Sequence, residues 1–420
     1  MKLYPHQAEA LRETAGQNRV AYYHDMGLGK TYTGAEKMMS LGGRVNLVIC
    51  QKSKIDDWVE HFRKNYRVMV HDMTNKRDFN DFVNYRLLFE TQVAVINYDL
   101  IFRRPELMKL HFDTVMLDES SIIQNRTSKR SKAILNLKTE NVILLSGTPT
   151  GGKYERLWSQ IKLLGWNISE DLFFKQYVIF HYDDSSGFPL RIIDGYKNVD
   201  RLKAKLREHG AHFLKTEEVF DLPDQLHQTV SVTTTPQYRK FKKTRIVTVD
   251  GVELVGDTTL TKMLYERQLC GSFNEGKLNA FRDLLESTED RLIVFYNFND
   301  ERQRLIEICG ELERPASIVA GDGKALGAYE TEDDSVTLIQ YQAGSMGLNL
   351  QKANKIVYFT PPLSSELFEQ SKKRTHRIGQ DRTCFYYYLT CRDSIEEKIY
   401  RTLEMRKDYT DRLFEEEETK

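Results

Sequence analysis

The chain has 420 residues, 40% of them hydrophobic, and its 61 Lys and Arg balance 61 Asp and Glu to a formal charge of zero. That length predicts two to three domains, each with enough chain to bury a core, and no apolar run approaches the roughly 18 residues of a membrane span. Zero net charge excludes attachment to nucleic acid by bulk charge, so any grip on a phosphate backbone has to come from local patches. Five cysteines, Cys50, Cys270, Cys309, Cys384 and Cys391, without C-x-x-C spacing, predict reduced core thiols rather than disulfides or zinc. No apolar signal segment follows Lys2, which predicts a cytoplasmic protein.

Residues 1–165 alternate short β-rich runs with amphipathic stretches, the βαβ signature of a parallel sheet with right-handed crossovers. Within them, His24-Asp25-Met26-Gly27-Leu28-Gly29-Lys30-Thr31 is what a backbone needs to wrap a triphosphate. Gly27 and Gly29 allow the positive φ that aims successive N–H groups at phosphate oxygens, and the helix opening next adds its N-terminal dipole. Lys30 would bridge the β- and γ-phosphates, and Thr31 would hold Mg²⁺ through its hydroxyl. The strict G-x-x-x-x-G-K-[ST] pattern fails at its first position, which His24 occupies; a plain glycine-rich turn is the other reading.

Chemical partners follow about ninety residues on, where Val115-Met116-Leu117-Asp118-Glu119 is an apolar run ending in two carboxylates. That is the pattern of a buried parallel strand delivering acids to the carboxyl edge of a sheet, where α/β proteins place ligands. Asp118 would hold Mg²⁺ and Glu119 would orient and deprotonate the attacking water. A third run, residues 142–145, ends in Ser146-Gly147-Thr148-Pro149, again a strand running into a hydroxyl- and glycine-rich turn. From 166 to 275 the chain turns to aromatic and charged stretches such as 172–180, a turn at 183–189 and a helical 198–208, with no nucleotide chemistry. Residues 276–395 return to βαβ alternation, with strands at 292–296, 317–320, 336–340, 355–359 and 385–389. Residues 395–414 read as a closing amphipathic helix, followed by an acidic tail at 416–418.

Late in the second half, Gln370, Arg374 and Arg377 stand at i, i+4 and i+7, which on a helix puts them on one face and presents two guanidinium groups to a phosphate. An arginine set against a transferring phosphoryl group is worth roughly 10³ to 10⁵ in rate. Lys372, Lys373, Arg374 and Arg377 also fit a solvated basic face. The local basic patches are Lys129-Arg130-Ser131-Lys132 and Arg239-Lys240-Phe241-Lys242-Lys243-Thr244-Arg245, either of which could be an ordinary wet helix surface. Tyr98, in Asn97-Tyr98-Asp99, could meet a sugar-phosphate strand or be packed locally, and Trp58 reads as core.

Taken in order, these segments resemble the Swi/Snf-type helicase-like ATPases of superfamily 2 over residues 3 to about 400. Leu3-Tyr4-Pro5-His6-Gln7 is similar to that family's adenine-reading segment, 25–31 to motif I, 47–58 to motif Ia, 118–121 to the D-E-x-H box and 146–149 to motif III. In the second half, 292–297 resembles motif IV, 343–350 motif V and 370–380 motif VI, and its ending His376-Arg377-Ile378-Gly379-Gln380 is the most specific string of all. The resemblance implies an α/β fold of two RecA-like lobes with parallel sheets and a helical insertion between them: lobe 1 at 1–165, insertion and linker at 166–275, lobe 2 at 276–395, and a C-terminal helix and tail at 396–420. It implies ATP and Mg²⁺ as cofactors, with Gln7, Gly27, Gly29, Lys30, Thr31, Gly347 and Gln370 on the nucleotide and Thr31 and Asp118 on the metal. Lys30, Asp118, Glu119, Arg374 and Arg377 would carry the chemistry.

The same resemblance implies a monomer that moves on double-stranded DNA without full strand separation, touching its backbone through Lys52, Ser53, Asn97, Lys129, Asn297 and Ser345. Closing of a cleft between the lobes on ATP and opening on hydrolysis would drive the movement. The chain carries no recognisable bromo-, chromo- or zinc-binding module, and its length fits a compact prokaryotic or viral member, placed in a bacterial or virus-infected host cytoplasm. Several positions depart from the family pattern. Ser120 and Ser121 replace the Ala-His completing the box, so the coupling assigned to that histidine has to run differently or through Ser121. Lys373 replaces a glycine, and Gln340-Tyr341-Gln342 stands where Ser-Thr-Lys/Arg is usual. A strand-separating helicase, a P-loop ATPase or kinase indifferent to nucleic acid, and a non-hydrolysing DNA-binding protein are the other functional readings.

Overall fold

The computed structural model describes residues 3–86, 91–183, 189–343 and 348–414, with side chains of the last helix described to Lys407. It divides into two units, one running to Val219 and including the residues after Lys407, the other from Phe220 to Lys407. Among the described residues no helix is long and apolar enough to cross a membrane.

In the first unit the short apolar runs become strands β1 (Arg19–His24), β2 (Val45–Cys50), β3 (Met69–Asp72), β4 (Gln92–Asn97), β5 (His111–Asp118) and β6 (Lys138–Leu145), then a hairpin of β7 (Val178–Asp183) and β8 (Leu190–Tyr196), then β9 (Ala211–Leu214). Seven of them form one sheet in the order β3-β4-β2-β5-β6-β1-β9, and every neighbouring pair is parallel. Every residue of β2 and β4 is buried, as expected where helices cover both faces of a parallel sheet. Strand alternation sorts the apolar residues into two layers: Tyr23, Leu47, Ile49, Val115, Leu117 and Leu144 face one core, while Tyr22, Val48, Met116, Ile143 and Leu145 face the other. Helices Pro5–Glu13, Lys30–Ser40 and Ile55–Asn65 close the second layer through Ala10, Met38, Trp58 and Phe62. Because β5, β6 and β1 are adjacent and parallel, the loops leaving their carboxyl ends emerge side by side. Those loops are the three hydroxyl-, glycine- and carboxylate-bearing turns seen in the sequence.

The second unit repeats the plan with β10 (Gln225–Val232), a hairpin of β11 (Ile246–Val249) and β12 (Val252–Val255), then β13 (Leu292–Tyr296), β14 (Ala316–Ala320), β15 (Gly323–Ala325), β16 (Val336–Gln340), β17 (Lys355–Tyr358) and β18 (Cys384–Cys391). The sheet order is β10-β18-β17-β13-β16-β14-β15, parallel throughout except for the short β14–β15 pair. Its two faces bury Ile293, Phe295, Ile339 and Tyr358 on one side and Val294, Tyr296, Leu338 and Val357 on the other. The two mostly parallel, helix-covered sheets are the two RecA-like lobes that the sequence predicts. The span 166–275, expected as a helical insertion and linker, holds helices Glu170–Tyr177, Val199–Glu208, Pro236–Thr244 and Thr259–Cys270 together with both hairpins; its strands β9 and β10 belong to the edges of the first and second sheets.

One expectation fails. The helix expected to carry Gln370, Arg374 and Arg377 on one face is Ser365–Lys372 and contains only Gln370. Beyond Lys372 the backbone is bonded elsewhere: the Arg374 carbonyl accepts the Leu350 amide at 3.2 Å and the His376 ring bonds the Pro223 carbonyl at 2.8 Å, so no further helical turn forms.

All five cysteines are free and buried. Cys270 and Cys391 lie beside a fully buried ion pair, Lys277 Nζ to Glu396 Oε1 at 2.6 Å, and the second carboxylate oxygen accepts the Cys391 amide at 3.0 Å. Removing one partner of such a pair strands a charge in the core. We expect Lys277→Met to destabilise the second unit by about 3–5 kcal/mol, read as a lower urea midpoint for its unfolding, with much of the loss restored in a Lys277→Met/Glu396→Leu double variant.

Candidate functional site

The loop between β1 and helix Lys30–Ser40 takes the predicted form, with Gly27 at φ +88° and Gly29 at +70°, the latter capping the helix. A side chain at Gly29 is barred twice over, by that left-handed backbone and by Gln7, whose Nε2 would stand 2.3 Å from a Cβ there. Gln7 is buried and holds the loop from behind, donating through Nε2 to the carbonyls of Leu28 (3.2 Å) and Gly29 (3.3 Å), while the His6 ring bonds the Leu28 carbonyl at 3.0 Å. Lys30 Nζ donates to the carbonyls of His24 (2.8 Å) and Asp25 (3.1 Å). Thr31 lies in the first turn of the helix. His24, in the position of the first loop glycine, is wholly buried. Its Nε2 lies 2.8 Å from Nδ1 of His212 on β9, and burial, with His212 and Lys30 nearby, lowers its pKa well below the ordinary value, so the ring is neutral.

At the end of β5, Asp118 Oδ2 accepts Trp58 Nε1–H at 2.8 Å. Burial raises this carboxyl's pKa, against which the Trp58 hydrogen bond and the ammonium groups of Lys30 and Lys54 pull it down. Lys30 is therefore within electrostatic reach of the carboxylate. Glu119 adopts a left-handed backbone at φ +59°, uncommon for a residue with a side chain, and its Oε1 accepts the Ser146 hydroxyl at 3.1 Å. The next residue, Gly147, lies against Lys30, whose Nζ would be 3.4 Å from a Cβ there. The first unit thus brings together Lys30, Asp118, Glu119 and Ser146, four residues from three strand ends.

The predicted phosphate loop, carboxylates and hydroxyl turn form a coherent donor set: backbone amides and an ammonium for phosphate oxygens, and a hydroxyl with a carboxylate, hard oxygen ligands suited to Mg²⁺. Sequence reasoning missed the role of Trp58. It is core, as expected, yet its indole N–H also fixes a carboxylate rotamer, and nothing in the spacing of residues 58 and 118 announces that. Tyr98 is buried, its hydroxyl donating to the backbone carbonyls of Asp118 (2.9 Å) and Glu119 (3.4 Å), so it supports the carboxylate turn.

In the second unit Arg374 is buried and donates to the Leu348 carbonyl, and Arg377 Nη1 bonds Asn349 Oδ1 at 2.6 Å, while its Nε has no acceptor among the described residues. Gln380 Nε2 holds the carbonyls of Gln351 and Ala353, and Gly379 turns with φ +93°. The string 376–380 is therefore folded onto the end of the motif V segment. Gln370 is buried, 3.4 Å from Glu366. Gly347 and Ser345 lie outside the described residues.

Of the expected nucleic-acid contacts, Lys52, Ser53 and Lys129 are exposed, whereas Asn97 is buried at the start of helix Tyr98–Ile101, with no side-chain capping bond. Asn297 directs its amide N–H groups to Thr360 and the Pro361 carbonyl at 2.8–3.3 Å. On helix Pro236–Thr244 the basic residues are exposed, but Phe241 is fully buried, which excludes it as a stacking platform.

The family model described as SNF2-related domain matches residues 20–274, and the helicase conserved C-terminal domain matches residues 276–379. Among curated proteins, the chain is 22% identical to the mouse SWI/SNF-related matrix-associated actin-dependent regulator of chromatin subfamily A member 1, across 91% of this chain and 40% of the relative. It is 24% identical to the Xenopus laevis subfamily A-like protein 1 of the same group, across 91% and 41%. With the ISWI chromatin-remodeling complex ATPase ISW1 of Saccharomyces cerevisiae it shares 23% identity across 89% and 37%. This chain spans about 40% of the length of these relatives. Among solved structures it is similar to the Sulfolobus solfataricus SWI2/SNF2 ATPase core in complex with dsDNA, with a TM-score of 0.45, 21% identity, and coverage of 98% of this chain and 92% of that one.

Proposed function

The chain belongs to the SNF2-related family, and from that premise we propose that it is a DNA-dependent ATPase that moves along double-stranded DNA. The observation that carries this reading is the meeting of Lys30, Asp118, Glu119 and Ser146 at the carboxyl edge of the first sheet. Amides of residues 27–30 and the Lys30 ammonium bind the triphosphate of ATP. Glu119, turned by its left-handed backbone and held by Ser146, aligns a water with the γ-phosphate and takes its proton. Mg²⁺, held by Thr31 and Asp118, would neutralise charge developing on the phosphate oxygens. Trp58 keeps Asp118 in one rotamer. Arg374 and Arg377 are proposed as the phosphate-directed guanidinium groups of the reaction, and Asn349 orients the Arg377 guanidinium.

Exposed Lys52, Ser53 and Lys129 are proposed to touch the DNA backbone, joined by Ser345. Asn97 and Asn297, expected among these contacts, are held inside the fold instead, Asn97 by burial and Asn297 by its bonds to Thr360 and Pro361. Such contacts carry no sequence information. ATP turnover should be measured without nucleic acid and with single-stranded DNA, duplex DNA or RNA. Stimulation greatest with the duplex, and displacement of a triplex strand without opening of a forked duplex, are the expected results. Turnover indifferent to all nucleic acids would instead indicate a plain P-loop ATPase, and unwinding of the fork a helicase.

A further inference from the structure

Behind the carboxylate turn lies a buried polar residue that the reaction just described leaves unused. Gln160, on helix Trp158–Leu163, has no solvent exposure. Its Oε1 accepts two hydroxyls, Ser120 Oγ at 2.9 Å and Tyr23 Oη at 3.0 Å, and its Nε2 donates to the Pro149 carbonyl at 2.7 Å. The amide has one orientation, since a carbonyl can only accept and Nε2 must therefore face Pro149. Ser120 is itself fully buried and follows Glu119 directly; Pro149 ends the turn that Ser146 begins. The carboxylate turn and the Ser146–Pro149 turn are therefore tied twice, in front by Ser146 to Glu119 and behind by Gln160. Ser121, at the histidine position of the box, is buried but does not make this bridge; the residue that reaches across is Ser120.

Resting on the proposed ATPase activity, we propose that Gln160 is a positioning residue: through Ser120 and Pro149 it fixes the Glu119 turn against the Ser146–Pro149 turn, and so carries the coupling between nucleotide chemistry and that loop. A buried amide bonded to both loops and to Tyr23 of β1 stiffens the loops, and its loss lets the carboxylate wander from the attacking water without emptying the nucleotide site. Gln160→Leu keeps the volume but leaves the Ser120 and Tyr23 hydroxyls and the Pro149 carbonyl without this partner and so costs stability; Ser120→Ala, which removes one hydroxyl and leaves the amide in place, is the milder change in which the fold survives.

The test is Gln160→Leu, with Ser120→Ala and the double variant beside it, in the full chain. Hydrogen–deuterium exchange of peptides covering 118–123 and 146–152 reads the tie itself, independently of turnover. Expected are faster exchange in both peptides, a fall in kcat of about ten- to a hundredfold with KM for ATP little changed, and a double variant no worse than Gln160→Leu alone. Unchanged exchange, or faster exchange with wild-type kcat, overturns the positioning role, as does a rise in KM alone. Faster exchange in a protein whose wild type shows no ATP turnover refutes both the ATPase reading and the catalytic role, and leaves only a structural tie.

Discussion

Replacement of Lys30 by alanine is expected to lower ATP turnover by about 10²- to 10³-fold or more, the loss that follows removal of one preorganised charge partner from a transition state. Lys30 is half-buried and bonded to the carbonyls of the loop it closes, so the circular dichroism spectrum and melting temperature should stay close to those of the wild type. Binding of a fluorescent ATP analogue should weaken in parallel, because the ammonium meets the phosphates before as well as during reaction. Full turnover in this variant would remove the phosphate loop from the site.

A second large effect is expected from Arg377→Ala, with turnover falling about 10³- to 10⁵-fold, the loss that follows removal of an arginine acting on a transferring phosphoryl group. Here analogue binding to the first unit should persist, which separates the two variants. Arg377→Lys should rescue little, because an ammonium lacks the planar fork that can bond Asn349 and phosphate together. Retention of activity in Arg377→Ala would leave the basic string as a solvated surface.

The strands were legible because a buried parallel sheet demands largely apolar runs, and residues 292–296 and 142–145 are as apolar in sequence as they are buried in the fold. The carboxylates and the hydroxyl turn were legible for a related reason: they stand where such runs stop, and adjacent parallel strands bring those ends together. What could not be read was contact between segments far apart in the chain. Trp58 reaches Asp118 across 60 residues and Gln160 reaches Ser120 across 40, and both are residues that a pattern assigns to core or surface. The helix expected through Arg377 failed for the same reason, since i, i+4, i+7 spacing cannot reveal that Leu350 captures the Arg374 carbonyl. Ser120 looked like a departure from the family box; its hydroxyl matters only because an amide stands opposite.

The last strand of the first sheet has a consequence for synthesis. β9 pairs with β1 along residues 21–24 and 211–214, although β6, on the other side of β1, ends at Leu145. A growing polypeptide that has emerged only as far as residue 165 offers β1 as a bare edge, lined with unsatisfied amides and the His24 ring without its His212 partner. The ribosome must therefore deliver some fifty further residues before the nucleotide loop gains its flanking strand, and an early stop in that interval yields a lobe prone to strand-to-strand aggregation.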